Sequence, residues 1–123
     1  SRGEDEGAIE YARARGEADA EFHLIAGIAA ARLGRPREGI RSFSAALDAK
    51  PNYCQAVYYR GMTLRQAGNP EFALREFDRC LSIHPRYVRA LLARADVRSE
   101  LGLHAEAEED RIQAARWASR RSP

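Results

Sequence analysis

Lysine is almost absent from this chain: Lys50 is the single one, beside 19 arginines. Methionine and tryptophan occur once each and cysteine twice. Two cysteines, Cys54 and Cys80, are too few for a disulfide framework and lack metal-ligand spacing. The sequence therefore predicts two reduced thiols in an intracellular, cytoplasmic protein. No stretch approaches the roughly 18 consecutive apolar residues of a membrane span, so no membrane partner is expected. The longest apolar run, Leu24 to Ala31, is broken by Gly27. Ser1-Arg2-Gly3-Glu4 is not a signal peptide and lacks an initiator Met, as in a fragment of something longer. Excess charge is missing too: 20 basic against 18 acidic residues leave +2, which argues against nucleic-acid binding and against an acidic tail.

What is present is alanine, 23 of 123 residues, with a hydrophobic fraction of 45% and a charged fraction of 31%. That composition fits one globular, helical domain. The glycines and prolines are periodic. Gly34, Gly68 and Gly102 are spaced by 34 residues. At the same offset lie Gly27, Gly61 and Ala95; Phe43, Phe77 and Arg111; Ala46, Cys80 and Ala114; and Pro51, Pro85 and Ser119. An internal repeat of this length marks a stacked array of supersecondary units.

Each unit reads as two helices. The first is expected over 20–33, 54–67 and 88–101, each stopped by its glycine, which accepts the left-handed conformation that closes a helix. Pro36 and Pro70 suit the first turn of the second helix, where a missing N–H is no loss. Ile40, Phe43 and Leu47, then Leu74, Phe77 and Leu81, are spaced by three and four and form one apolar face. Second helices are expected over 37–49, 71–83 and 104–120. A further helix over 5–17, carrying Ala8, Ile9, Tyr11 and Ala12 and opened by Glu4, Asp5 and Glu6, makes about seven.

The run Val57-Tyr58-Tyr59-Arg60-Gly61, followed by Gly68, Ala73, Phe77, Cys80 and Pro85, resembles a tetratricopeptide repeat (TPR). On that register the repeats are 20–53, 54–87 and 88–121, with 1–19 as an N-terminal helix or half-repeat cap docked on the apolar front of the first, the alternative being a chain that starts mid-array. The middle repeat is the best match. The third departs most, at Ala95, Arg111 and Ser119. The resemblance implies an all-α solenoid, a right-handed superhelix of antiparallel helix pairs with a concave groove. It also implies that Arg98 and Arg111, at places that otherwise pack on a following repeat, close the array. Ser119 in place of Pro lets the last helix run on past Trp117, which is expected to pack on its own hairpin.

No catalytic constellation is legible, so no enzyme and no cofactor are expected. His23, His84 and His104 fall at three different places of the repeat and form no metal-ligand pattern. Cys80 fills the small-residue place between helices. Cys54 opens a helix, which can lower a thiol pKa, but has no general base beside it. The acidic Glu106, Glu108, Glu109 and Asp110 and the basic Arg116, Arg120 and Arg121 complement the dipole of the last helix and read as a solvated face.

The resemblance implies that Leu24, Ile28, Arg32, Gln55, Tyr58, Met62, Arg65, Arg89, Leu92 and Asp96 face the groove. Leu24, Ile28, Tyr58, Met62 and Leu92 would form an apolar strip flanked by Arg32, Arg65 and Arg89. Such a strip fits a scaffold that binds a protein segment with apolar anchors and acidic flanks. The alternative is a structural or oligomerisation module, its groove filled by its own chain or a second copy. TPR domains that clamp an acidic chaperone tail hold two carboxylates with Lys, Asn and Arg. The matching places here are Leu24, Ile28, Met62, Arg89 and Ala93, of which only Arg89 fits, so that reading is disfavoured.

Overall fold

The computed structural model of the chain describes residues 2–121, without the side chains of Arg2, Glu4, Asp5, Ala12, Arg13 and Arg121. It contains six helices and, among the described residues, no strand. They are α1 (Arg2–Arg32), α2 (Pro36–Ala49), α3 (Cys54–Gln66), α4 (Pro70–Ile83), α5 (Val88–Glu100) and α6 (His104–Arg121). They pack in order as three hairpins, α1 with α2, α3 with α4 and α5 with α6, and the hairpins stack through α2 on α3 and α4 on α5.

The punctuation works as the sequence predicts. Gly34, Gly68 and Gly102 have φ of 76°, 86° and 82°. Behind each, the chain closes a Schellman turn: Gly34 N–H donates to Ala31 O at 3.1 Å and Arg35 N–H to Ala30 O at 2.9 Å, with the same pair of bonds at Gly68 and Gly102. Pro36 and Pro70 open α2 and α4. α6 continues through Ser119, as the loss of proline there allows.

One expectation is corrected at the N-terminus. The helices expected over 5–17 and 20–33 are one continuous helix of 31 residues. Nothing between Glu17 and Ala20 breaks a helix, and Gly16 alone costs only about 1 kcal/mol. The N-terminal half of α1 therefore runs straight on and does not fold back over the front of the first hairpin. Phe22 and Ile25 stay 67% and 60% exposed. The side chains of Glu4, Asp5 and Ala12, part of that expected cap, lie outside the described residues.

The core follows the repeat. Phe43 and Phe77 are fully buried at places 34 residues apart. Phe77 lies with Ala73 of its own helix and with Ala93 and Val97 of α5, between the second and third hairpins. Trp117 is half-buried, with the guanidinium of Arg86 4.3 Å from its ring centre and that of Arg120 at 4.9 Å.

A second correction concerns the thiols. Cys54 and Cys80 are joined as a disulfide across the middle hairpin, with Cα atoms 5.2 Å apart. The small-residue place that brings α3 and α4 together also sets the start of one helix beside the end of the other. That places the two sulfurs in contact, and the expectation of two reduced thiols does not hold. Each sulfur also lies near the other residue's carbonyl oxygen, at 3.3 Å and 3.5 Å, so a reduced pair would find acceptors in place.

Candidate functional site: the concave surface of the first helices

Partly buried ion pairs fix the frame. Arg60 of α3 donates to both carboxylate oxygens of Glu76 at 2.7 Å and 3.1 Å, and reaches back to Ser44 Oγ at 3.3 Å. One repeat later Arg94 holds Asp110 at 2.7 Å and 3.0 Å and reaches back to Asp78 at 2.9 Å. Arg98 adds a third bond to Asp110, whose side chain is only 4% exposed. Burial disfavours the charge on Arg94, and its bonds to Asp110 and Asp78 more than offset that, so its pKa is raised. These forks clamp the first helix of a hairpin to its own second helix and to that of the preceding hairpin. The sequence shows them only as two charged places recurring at 34, Arg60 with Arg94 and Glu76 with Asp110, and a polar one, Ser44 with Asp78.

With the backs of α3 and α5 fixed by these forks and α1 packed on α2, the other faces of the three helices line the inside of the stack. A pocket of about 180 Å³ opens between α1 and α3, lined by Ile28, Ala31 and Arg32 on one side and Tyr58, Tyr59, Met62, Thr63 and Gln66 on the other. A second recess is formed by Gln55, Tyr87, Val88 and Arg89. Between them Tyr58, Tyr59 and Tyr87 stack edge to face, with ring centres 5.1 Å and 5.7 Å from that of Tyr58. Burial raises the pKa of Tyr58 and of Tyr87, while Arg89 pulls both down. The guanidinium of Arg89 donates to Tyr59 Oη at 3.3 Å, which raises its own pKa.

The structure does not bring all the expected site residues together. Ile28, Arg32, Tyr58 and Met62 come together at the pocket, and Gln55 and Arg89 at the recess. Leu92 stands 46% exposed on α5. Leu24 is different: at 6% exposure it belongs to the buried cluster with Phe43 and Leu47, and cannot serve as an anchor. Arg65 is spoken for by the chain itself. It donates to Glu100 from Nε at 3.1 Å and from its terminal nitrogen, and has Asp96 at 4.0 Å. That bond to Glu100 raises its pKa. Asp96 stands between Arg65 and Arg111, 3.8 Å away. Tyr59, Thr63, Tyr87 and Val88 were not expected at the site. Tyr59 and Tyr87 carry an aromatic signal in the sequence, but the side each faces depends on how the hairpins twist against one another.

Among the described residues no group of three or more His, Cys, Asp or Glu could hold a metal ion, and no helix is long and apolar enough to cross a membrane. The site presents apolar and aromatic surface with a cationic rim.

Comparison with solved structures finds the same fold. MamA superposes with a TM-score of 0.80 at 22% identity over 85% of this chain, which spans 61% of that one. The second TPR of Spaghetti (RPAP3), bound to the HSP90 peptide SRMEEVD, gives 0.79 at 18% identity over 85% of this chain and 95% of that one. The Arabidopsis OM64 TPR domain gives 0.80 at 17% identity, over 85% and 87%. Comparison with curated protein sequences finds no significant match. The sequence profile of the tetratricopeptide repeat matches residues 6–54, 26–82 and 58–123, and with three hairpins of that pattern across its length the chain belongs to the tetratricopeptide repeat family.

Proposed function

We propose that the protein is a non-enzymatic scaffold that captures an extended or helical protein segment on the concave face of α1, α3 and α5. The observation that carries this reading is the pocket between α1 and α3, where Ile28, Tyr58 and Met62 leave apolar and aromatic surface open beside Arg32. Met and Tyr are adaptable anchors, and a few buried anchors dominate binding energy. The partner's apolar residues fill this pocket. Its acidic flanks meet Arg32 and Arg89, whereas Arg65 is engaged by Glu100. One structural neighbour is described bound to an HSP90 peptide, which supports peptide capture on this fold. The two-carboxylate clamp is a different matter, because Ile28 and Met62 offer no polar group where a clamp needs one.

Peptide-array binding with the parent and with Tyr58→Ala/Met62→Ala tests this. The parent should select sequences with apolar anchors and Asp or Glu beside them, and the double variant should lose that selection. SRMEEVD should bind the parent no better than its scrambled version. Equal selection by parent and variant would remove the pocket from the account.

A further inference from the structure

The stripe Ala18, Phe22, Ile25 and Ala29 on α1 is exposed along its length, and no helix among the described residues covers it. The repeat says what such a stripe normally meets. The residues 34 places on, Ala56 and Thr63, and again Ala90 and Val97, are buried where the preceding hairpin's second helix lies against them. The front of α1 is thus the half of a stacking junction that receives a second helix. The other half is also in the molecule: it is the outer face of α6, where Ile112 is 52% exposed and Ala115 is exposed.

The two halves are complementary in size and in polarity. At the inner junctions a large residue of the second helix shares the buried cluster with a small one of the next first helix, Leu47 with Ala56 and Leu81 with Ala90. At the ends the same places hold Ala115 and Phe22, with the sizes exchanged. The inner junctions are also bridged by polar contacts, Arg60 to Ser44 and Arg94 to Asp78. At the ends these places hold Ala26 and Ile112, both apolar. Arg111, at the place of Phe43 and Phe77, turns back to donate to Ser99 Oγ at 2.9 Å and so leaves the apolar part of α6 open. Charge agrees with shape. α6 is acidic at its start (Glu106, Glu108, Glu109) and basic at its end (Arg116, Arg120). The stretch of α1 that would lie against it runs from acidic Glu17, Asp19 and Glu21 to Arg32. An antiparallel approach, as of α2 on α3, sets opposite charges together at both ends.

We propose that copies of this chain associate head to tail, α6 of one docking on the front of α1 of the next and continuing the superhelix. A heterologous contact of this kind need not close, so the product is an open chain of copies. A single helix face is a small interface, so association is weak and grows with concentration.

Sedimentation velocity of the chain over about 10 µM to 1 mM, the range in which weak contacts become visible, reads this directly. The parent should pass beyond a dimer as concentration rises. Phe22→Glu and Ile112→Glu, both at exposed places, should each stay monomeric with an unchanged helical spectrum. Mixed, they should form a one-to-one heterodimer and nothing larger, because each variant keeps the half that the other lost. Ile25→Glu replaces Phe22→Glu if that variant unfolds. A parent that stays monomeric throughout overturns the proposal. So does an Ile112→Glu variant that associates as the parent does, which would mean front-to-front pairing of α1.

Discussion

Gly61 lies directly under the ring of Phe77: a Cβ on that glycine would stand 2.7 Å from Phe77 Cε1. The same relationship holds one repeat earlier, where a Cβ on Gly27 would stand 2.5 Å from Phe43 Cε1. In the third hairpin Ala95 takes the glycine's place and Arg111 the aromatic's. The glycine is there because the ring is, and where the ring is lost a methyl group returns. Gly61→Ala should therefore destabilise by about 1–3 kcal/mol through overpacking. Phe77→Ala should cost about 3–5 kcal/mol, as a buried aromatic truncated in a tight site. The double variant should cost less than the sum, since removing the ring makes room for the methyl. Urea unfolding of the four proteins checks all three statements.

The carboxylate of Asp110 is the most deeply buried charge among the described residues, with its side chain 4% exposed and two arginines on it. Asp110→Ala leaves Arg94 and Arg98 without their shared acceptor and should destabilise by about 3 kcal/mol. Glu108→Ala, whose carboxylate is 66% exposed and 3.9 Å from Arg111, should change stability by less than about 0.5 kcal/mol. Thermal melts of the two variants should differ plainly.

The Cys54–Cys80 bond closes a loop across a sequence separation of 26. In the chain-entropy picture a loop of that size stabilises by about 3 kcal/mol. Reductant should lower the melting temperature of the parent and leave that of Cys54→Ser/Cys80→Ser unchanged. The reduced protein should still fold, because the carbonyls of Cys54 and Cys80 can accept from the thiols. Melts with and without reductant, with thiol counting by mass, check this.

Burial holds the phenols of Tyr58 and Tyr87 above their ordinary value of 10.0. Their folded pKa values lie above the unfolded ones, so the unfolded chain loses these protons first. The linked stability is complete below pH 10.0 and is lost as pH rises through the folded values. Melting temperature should fall from about pH 10 upward, and Tyr58→Phe should soften that fall.

Much of this fold can be read from punctuation alone. Gly34, Gly68 and Gly102 demand left-handed turns, Pro36 and Pro70 open helices, and both signals are local, so α2 to α6 fall within a residue or so of expectation. The N-terminus went differently because helix continuity is decided by the absence of a breaker, and no residue between Glu17 and Ala20 announces either outcome. That Ile28, Tyr58 and Met62 share one face was legible because the repeat register carries facing with it, and the three line one pocket. The burial of Leu24 was not, because it depends on Phe43 and Leu47 of the neighbouring helix. Nor was the capture of Arg65 by Glu100, a pairing of residues 35 apart on two different helices. Cys54 and Cys80 occupy places that the period describes separately, and only the antiparallel approach of α3 and α4 brings their sulfurs together.

The proposed function holds partners on the concave face. Its most direct test is titration of a partner peptide selected on the array into the parent, into Tyr58→Ala/Met62→Ala, and into Phe72→Ala/Arg75→Glu. The last pair lies on exposed places of the outer helix α4. The concave pair should weaken binding by about tenfold or more at both low and high salt, as expected for loss of buried anchors, while the outer pair leaves it unchanged. Unchanged affinity for the concave pair, with loss in the outer pair, would move the binding surface to the second helices and contradict the account.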